Sequence, residues 1–552
     1  MTKEVVLVDS RGRPLESAPP RAHGNATTRT EGLYGLRPFP YEASDWATPE
    51  MSDWLPWIWS PDYEINQFRD RMVGRTRDLV RNDGWAAGGI IRILDNTVGA
   101  SMRLSAQPDH RALHYRFGLK AFDAVWAEEF RRAAEALWRD MSDDVGHFND
   151  VEQMLTVAQQ MRLAKRHKLV DGDALVVNHW LPENIGIGGA QYATCFQVVD
   201  PDRLSNPYQK MDTRYLRGGV ELNERGAPIA YHIRKAHQND WYNAVESMEW
   251  ERIERFDPDG WRRVIHDFEK DRAGQNRGVG VFTPVIARFK MLARYYGVEL
   301  QAATIASVFG TYVTSPYDPV QVEDALSSKD ELSAYQQIRA DWSEERPAML
   351  NGARIPTLAP GEEINSVSAA HPHTGFADFA REMLKTFAAC TGLSAEQITQ
   401  DWSKTNYSSA RAALLESWKT LNRRFVEFKI GTANPMYSAW LHEAMDNGEL
   451  PLPNGAPSYL EARTAYSRCD WLSVARGWVD PVKEKQGAIL GMDAALSTLK
   501  RECAEQGLDY EDVIQQRSAE RQMFKEAGLP MPKWIDTDAT DASENPEEPQ
   551  PA

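Results

Sequence analysis

The chain has 552 residues, and 63 Lys and Arg against 80 Asp and Glu give it a formal charge of −17. Its 42% hydrophobic and 26% charged content excludes wholesale disorder, a collagen-like repeat and a coiled-coil rod, and the length allows about three or four units that each bury a core. Only four cysteines occur, Cys195, Cys390, Cys469 and Cys503, with no CxxC pair, which excludes a disulfide framework and a zinc ribbon and predicts a reducing compartment.

The N-terminal MTKEVVLVDSRGRPLES carries charges where an export signal needs an apolar stretch. Residues 1–45 read as a loose arm. Trp46, Trp54, Trp57 and Trp59 then fall among Pro49, Pro56 and Pro61, either capping the chain's own core or gripping a neighbouring subunit. Trp equals Phe at 18 copies, a composition favoured where large rings are only partly buried, as at interfaces. The spacing of Phe68, Met72, Leu79 and Val80 predicts a helix from Glu64 to Asn82, ended by Gly84, with many Arg on its other face. A second helix at about 85–96 leads into a strand, and further helices are expected around 119–140 and 150–170.

DGDALVVNHW, QVVDPDRL and GVELNERGAPIAYHIRK read as short strands between turns, so the middle of the chain is α+β. From Pro284 a helix of up to about 28 residues is expected, with Gly297 as a place where it bends or breaks. The uncharged run from Leu300 to Tyr317 holds six Gln, Ser or Thr and is read as a buried helix, not a membrane span. A polar stretch at 318–372 carries a short charged helix near 328–345 and then an extended segment. The clearest helix is Phe376 to Thr391, where Phe376, Phe379, Ala380, Met383, Leu384, Phe387 and Ala388 recur at helical spacing and Asp378, Arg381, Glu382 and Lys385 take the other face. A second long helix runs from Ser409 to Phe428, with Leu414, Trp418, Leu421 and Phe425 at near-heptad spacing. Helices resume at 482–527, and the tail 536–552 carries six acids and no base, a composition expected to be disordered.

Motifs for catalysis fail on inspection. No Gly-Lys dipeptide exists to hold phosphates, so an ATPase is not expected. Arg277 to Gly280 is a lone GxG without a third glycine. His442 and Glu443 resemble the start of a zincin helix, but position i+4 is Asp446. His371 and His373 flank Pro372 with no third ligand in view, and Asp171 and Asp173 around Gly172 read as a turn. A soluble metal-dependent hydrolase using His442 and Glu443, or His371 and His373, is the rival reading. No cofactor and no metal are expected.

Six collinear segments resemble the lambda-type portal protein family of tailed bacteriophages: RTRDLVRNDGWAAGGIIRILDNTVGASMRL at 75–104, VVDPDRLSNP at 198–207, GVELNERGAPIAYHIRK at 219–235, IHDFEKDRAGQNRGVGVFTPVIARFKMLARY at 265–295, LAPGEEINSV at 358–367 and NYSSARAALLESWKTLNRRF at 406–425. The resemblance implies a noncatalytic α+β portal fold and a homo-oligomeric ring, usually of twelve subunits, at one capsid vertex. Through it double-stranded DNA is packaged and ejected. It implies an N-terminal arm at 1–59, a wing at 60–284, a stem helix at 285–312, a small α/β clip at 313–373, a second stem helix at 374–392, a tunnel loop at 393–408, a long wing helix and return segment at 409–480, a helical crown at 481–535 and the acidic tail at 536–552.

On that map the DNA-facing residues are Arg381 and Lys385 in the stem and Asp401, Trp402, Lys404 and Asn406 in the tunnel loop. Such groups contact phosphates without reading bases. A ring crowded with cations would hold DNA instead of letting it slide, because each neutralised phosphate adds affinity; a mostly acidic particle with few cationic rings suits passage. Lys329, Asp330, Glu331, Glu344, Glu345 and Arg346 in the clip are expected to dock a terminase ATPase and then a head-tail adaptor. Major capsid protein and scaffold are further partners, Trp46, Trp54, Trp57 and Trp59 are candidates for a subunit or capsid interface, and no membrane is involved. The implied location is the virion's portal vertex, with host cytoplasm during assembly.

Overall fold

The computed structural model describes residues 42–44, 51–308, 312–314, 348–350, 353–355, 363–365, 375–403, 405–472 and 481–530. Two units are distinguished, Met1–Trp59 and Ser60–Ala552. In the first, Trp54, Trp57 and Trp59 are 67, 79 and 39% exposed and Leu55 and Ile58 are exposed with them, so these rings do not cap a core; Trp46 lies outside the described residues.

The second unit begins with α1 (Pro61–Asn66) and α2 (Arg69–Asn82). The single helix expected from Glu64 breaks at Gln67 and Phe68. Phe68, expected on the apolar stripe, is exposed, and α2 buries Val73, Leu79, Val80 and the charged Arg69 instead. Asp83, not Gly84, marks the boundary: it ends α2, and its carboxylate accepts from the Trp85 and Ala86 amides to open α3 (Gly84–Asp95). Strand β1 (Arg103–Ala106) follows, then α4 (His110–Phe117), which the sequence pattern does not announce, and α5 (Ala124–Ser142). Helix α6 (Val157–Val170) starts at a Thr156–Gln159 capping box. The preceding residues, expected as helix, form a turn in which the Asp150 carboxylate accepts from the amides of Glu152, Met154 and Leu155.

Strand β2 (Asp173–Trp180) runs between β3 (Thr194–Val199) and β8 (Val264–Phe268), antiparallel to both. Its apolar run is continuous because both faces are covered: Ala174 and Val176 enter one core, Leu175 and Val177 another. The second core lies under a four-stranded antiparallel sheet of β4 (Leu216–Arg217), β5 (Val220–Leu222), β6 (Pro228–Arg234) and β7 (Trp250–Glu254). Helix α7 (Ile286–Val308) passes through Gly297 without interruption. Its far half is not buried as expected, since Val298 and Leu300 are exposed. Short strands β9 (Tyr312–Thr314) and β12 (Glu363–Asn365) pair, as do β10 (Ala348–Leu350) and β11 (Ala353–Ile355). The charged helix expected near 328–345 lies outside the described residues.

Helix α8 (Phe376–Thr391) has the expected bounds. The loop expected after it holds a short helix, α9 (Ala395–Thr399), with its own capping box. Helix α10 (Tyr407–Phe428) continues through a π-helical turn, Lys429–Ala433, into α11 (Asn434–Asp446). Helix α12 (Tyr459–Tyr466) leads to β13 (Cys469–Leu472), which pairs antiparallel with β1. The C-terminal helices are α13 (Pro481–Asp493), α14 (Leu499–Glu505) and α15 (Tyr510–Glu526).

The largest core gathers α5, α6, α11, α12 and one face of β2. At its centre Trp138 meets Tyr437, Trp440 and Trp471 edge-on at 5.7, 5.3 and 5.8 Å, so part of the tryptophan excess serves the interior, where edge-to-face rings add to burial. No helix of the described residues is long and apolar enough to cross a membrane.

Candidate nucleic-acid interface

Helices α7 and α8 lie antiparallel, held by an aromatic ladder. Phe289 stacks on Phe387 at 3.6 Å, Phe282 abuts Phe289 at 5.3 Å, and further along Tyr295 meets Phe376 and Phe379 at 5.5 and 5.1 Å. Phe282, Phe289 and Phe387 join the core beneath α2 and α3 with Leu292, Ala380 and Leu384. Phe379, expected in the packed stripe, remains half exposed. The packed sides fix which faces of the two helices are left for solvent.

On α8 that face carries the expected charges, and they neutralise one another. Lys385 Nζ donates to Glu382 at 2.8 Å, while Arg381 lies 3.4 Å from Asp378 and 3.9 Å from Asp401. The structure therefore brings Arg381 and Asp401 together, the loop folding back on the helix. Asp401 also accepts from the Ser403 amide and hydroxyl, at 3.1 and 2.6 Å. Trp402 is 37% exposed. Asn406 acts locally: its Oδ1 accepts from the Ser409 amide at 2.8 Å and caps α10. Lys404 and the six clip residues, Lys329, Asp330, Glu331, Glu344, Glu345 and Arg346, lie outside the described residues.

Sequence reasoning missed the cations of α7. Lys290 and Arg294 are exposed and share the side opposite Phe289 and Leu292, as their offsets at 100° per residue require. Among the described residues neither makes an ion pair or a side-chain hydrogen bond. The signal was present, but it needed the buried face to be known first.

Behind this helix pair, three of the resembling segments, 75–104, 198–207 and 265–295, converge on one buried ionic network. Asp173 is fully buried and accepts from Arg69 Nη2 at 3.0 Å, Arg277 Nε at 2.7 Å and the Gly278 amide at 2.6 Å, with His266 Nε2 at 3.4 Å. Burial alone would raise its pKa, but Arg277 and Arg69 hold it well below the usual carboxylate range. Arg277 spends its remaining donors on the carbonyls of Leu204, Gly218 and Pro201. Next to it Arg77 reaches Asp171, Asp200 and Asp202 at 2.8, 2.6 and 2.5 Å. Asp171 also receives His167 Nδ1 at 2.6 Å. The Asp171–Gly172–Asp173 turn and the loop of Gly278 and Gly280 lie backbone against backbone: a Cβ on Gly278 would overlap the Gly172 carbonyl, and one on Gly280 the Val170 carbonyl. Close approach, not dinucleotide binding, is what these glycines serve.

The rival site is used up by the fold. Glu443 is buried and accepts from the amides of Ala193 and Thr194 at 2.7 and 2.9 Å, tying α11 to the start of β3. His442 leaves the same helix in another direction and stacks on Tyr459 at 4.7 Å. His371 and His373 lie outside the described residues. His167, Asp171 and Asp200 place ligand-type atoms within 4.8 Å of one another, but Arg77 donates to both carboxylates and supplies the positive charge there.

Comparison with known proteins agrees with the sequence resemblance. The family described as phage portal protein, lambda family, matches residues 47–424. Portal protein B of Escherichia phage lambda is 32% identical over 494 residues, covering 88% of this chain and 90% of the relative, and the portal protein of Escherichia phage N15 matches to the same extent. A probable portal protein of Halomonas phage phiHAP-1 is 25% identical over 486 residues, or 85% of this chain and 84% of the relative. Among solved structures, the neck of an empty gene transfer agent particle aligns with 70% of this chain and 87% of its own at 13% identity and a TM-score of 0.36. Matched across most of its length by the family and by relatives of nearly the same span, this chain belongs to the lambda family of phage portal proteins and is a portal protein of tailed phages.

Proposed function

We propose that the chain assembles into a ring, of about twelve copies by the family resemblance, at one vertex of the virion capsid, and that double-stranded DNA enters and leaves through it. The observation that carries this reading is the α7–α8 pair. It is packed on one side only, and its free side offers Lys290 and Arg294 beside the self-neutralised charges of α8. Lys290 and Arg294, in a chain of net charge −17, give weak, sequence-independent contact with phosphates, which is what sliding requires.

The map that follows has a wing at 60–284, stem helices at 285–312 and 374–392, a clip at 313–373, a tunnel loop at 393–408, a long wing helix and return at 409–480 and a crown at 481–535. Two features support assembly: α13 and α15 bury no residue of their own and expose Val482, Ile489, Leu490, Ile514 and Met523, and the Trp54–Trp59 segment is exposed. Exposed apolar surface on this scale marks contact with another chain. The clip is the proposed dock for terminase and then a head-tail adaptor, with capsid protein and scaffold on the outer surface, and assembly begins in the host cytoplasm. The role is structural; DNA movement draws its energy from the terminase.

Mass photometry with end-on imaging tests the ring. Particles near 750 kDa, about twelve times the 62.5 kDa chain, with a central hole are expected. A monodisperse particle of one or two chains at high concentration would refute it.

A further inference from the structure

Between the turn that joins β7 to β8 and the outer face of α11 lies a cavity of about 220 Å³, bounded by Trp261, Arg262, Ser438, His442, Tyr459 and Arg463 among others. Its lining holds two arginines and a histidine and no acid, in a chain whose formal charge is −17.

Both arginines have donors to spare. Arg262 Nε donates to the Val264 carbonyl at 3.1 Å, and its two terminal nitrogens have no hydrogen-bond partner among the described residues. Arg463 is exposed and makes no ion pair or side-chain hydrogen bond among the described residues. Burial, with Arg255 and Arg463 as like-charged neighbours, pushes the Arg262 guanidinium down to about 10, the direction expected of a cation that lacks its counter-charge. The acids nearby are Asp446, 3.4 Å from His442 on the cavity wall, Asp257, 3.5 Å from Arg263, and Asp259, which acts on His442; among the described residues none of them pairs with Arg262 or Arg463.

The walls are fixed. Trp261 is buried and its Nε1 donates to the Ala439 carbonyl at 3.1 Å. Tyr459 stacks on His442 and shares a 2.6 Å hydrogen bond with the Ser438 hydroxyl. A cavity of this size is below the roughly 300 Å³ of common organic-ligand pockets. It suits a single tetrahedral anion, for which a planar guanidinium offers paired donors.

We propose that this cavity binds a small phosphate-type oxyanion, held between Arg262 and Arg463 against the Trp261 and Tyr459 walls. The site is independent of the DNA-facing helices and adds a ligand to a protein whose proposed role needs none.

Equilibrium dialysis of the full-length protein against inorganic phosphate, and separately against glycerol 2-phosphate, at constant ionic strength set by chloride, tests this. Saturable binding of one anion per chain is expected, weakened at least about tenfold by Arg463→Gln and by Arg262→Gln, as removal of a charge-assisted hydrogen bond implies. Lys235→Gln, at an exposed ion pair with Glu249, should leave it unchanged. Equal binding of both probes identifies a phosphomonoester group as the ligand, and binding of inorganic phosphate alone identifies the free ion. Absence of saturable binding by either probe, or binding undiminished in the Arg463→Gln protein, overturns the proposal. Because Arg463 is exposed and unpaired, that variant keeps the test sound if Arg262→Gln fails to fold.

Discussion

Replacing Asp173 by Asn removes one charge and almost no volume from the centre of the buried network. Two guanidiniums, Arg69 at 3.0 Å and Arg277 at 2.7 Å, then lose their carboxylate, while Asn Oδ1 still accepts from the Gly278 amide. Breaking a buried pair by deleting one partner costs about 3–5 kcal/mol, because the remaining charge stays desolvated. The cost falls on the 170–180 and 264–280 segments that the network joins. At about 1.4 kcal/mol per decade, amide exchange there should accelerate by roughly two to nearly four orders of magnitude.

Hydrogen–deuterium exchange read by mass spectrometry reports these segments one by one, with Asp240→Asn on an exposed loop as the control. The pH dependence has a definite sign. Arg277 and Arg69 hold Asp173 below its unfolded value of about 3.9, so its contribution is complete above about pH 4 and is lost as pH falls toward the folded value. Wild-type protection should therefore begin to fall only below about pH 4, and the Asn variant should lack that component. Exchange in both segments within about threefold of wild type at pH 7 would refute the network's role.

Three further outcomes are expected. Gly278→Ala forces a Cβ onto the Gly172 carbonyl, and since backbone meets backbone the cost is about 3 kcal/mol or more; soluble yield should collapse, whereas Gly84→Ala, with open space at its Cβ, should express normally. Burial pushes Glu135 up to about 7 against the pull of Arg131, which also serves Glu128 and Glu511. A carboxyl whose folded pKa exceeds its unfolded value of about 4.3 loses stability as pH rises through that window, so thermal midpoints should fall between pH 5 and 7 in the wild type and change less in Glu135→Gln. Lys290→Gln with Arg294→Gln should lower the affinity of assembled protein for a short duplex and flatten its salt dependence, by about 0.9 in slope for each phosphate no longer neutralised. Lys385→Gln should do less, because that ammonium is paired with Glu382; equal effects would show that both helix faces meet DNA.

What the sequence made legible depended on the range of the interaction. Helix α8 could be read to its ends because its packed and wet positions repeat every turn. Strand β2 was visible as an apolar run, but β7 was not, since four of its five residues are half or fully exposed and charged or aromatic. Helix α4 buries only Leu113 and leaves no period to find. The ionic network was invisible as such, because Arg77 finds its acids 94 to 125 residues away; Asp171 and Asp173 read correctly as a turn, and nothing local announced their partners. The site residues divided the same way. Arg381 and Asp401 do meet, Asn406 is a helix cap, and Lys290 and Arg294 emerged only once Phe289 and Leu292 were seen to define the inner face of α7.

The π-helical turn at Lys429–Ala433 sets a limit on how such chains can diverge in length. It makes one rod of α10 and α11, with Leu421, Phe425 and Phe428 packed before it and Met436, Tyr437 and Trp440 after. Such a turn absorbs one residue more than regular helix would, so both halves of the rod keep the facing of regular helix, whereas adding or removing a residue elsewhere in the rod rotates one half by about 100° against the other. Either the tryptophan core or the packing at the far end of the rod would then face the wrong way. Gly431 lies against the Asp267 carboxylate, which is bound to Lys168 and Thr432, and this locks the extra residue in place. Length changes among related chains should therefore collect in the loops at either end of the rod or at this turn, and avoid the regular helix on both sides of it.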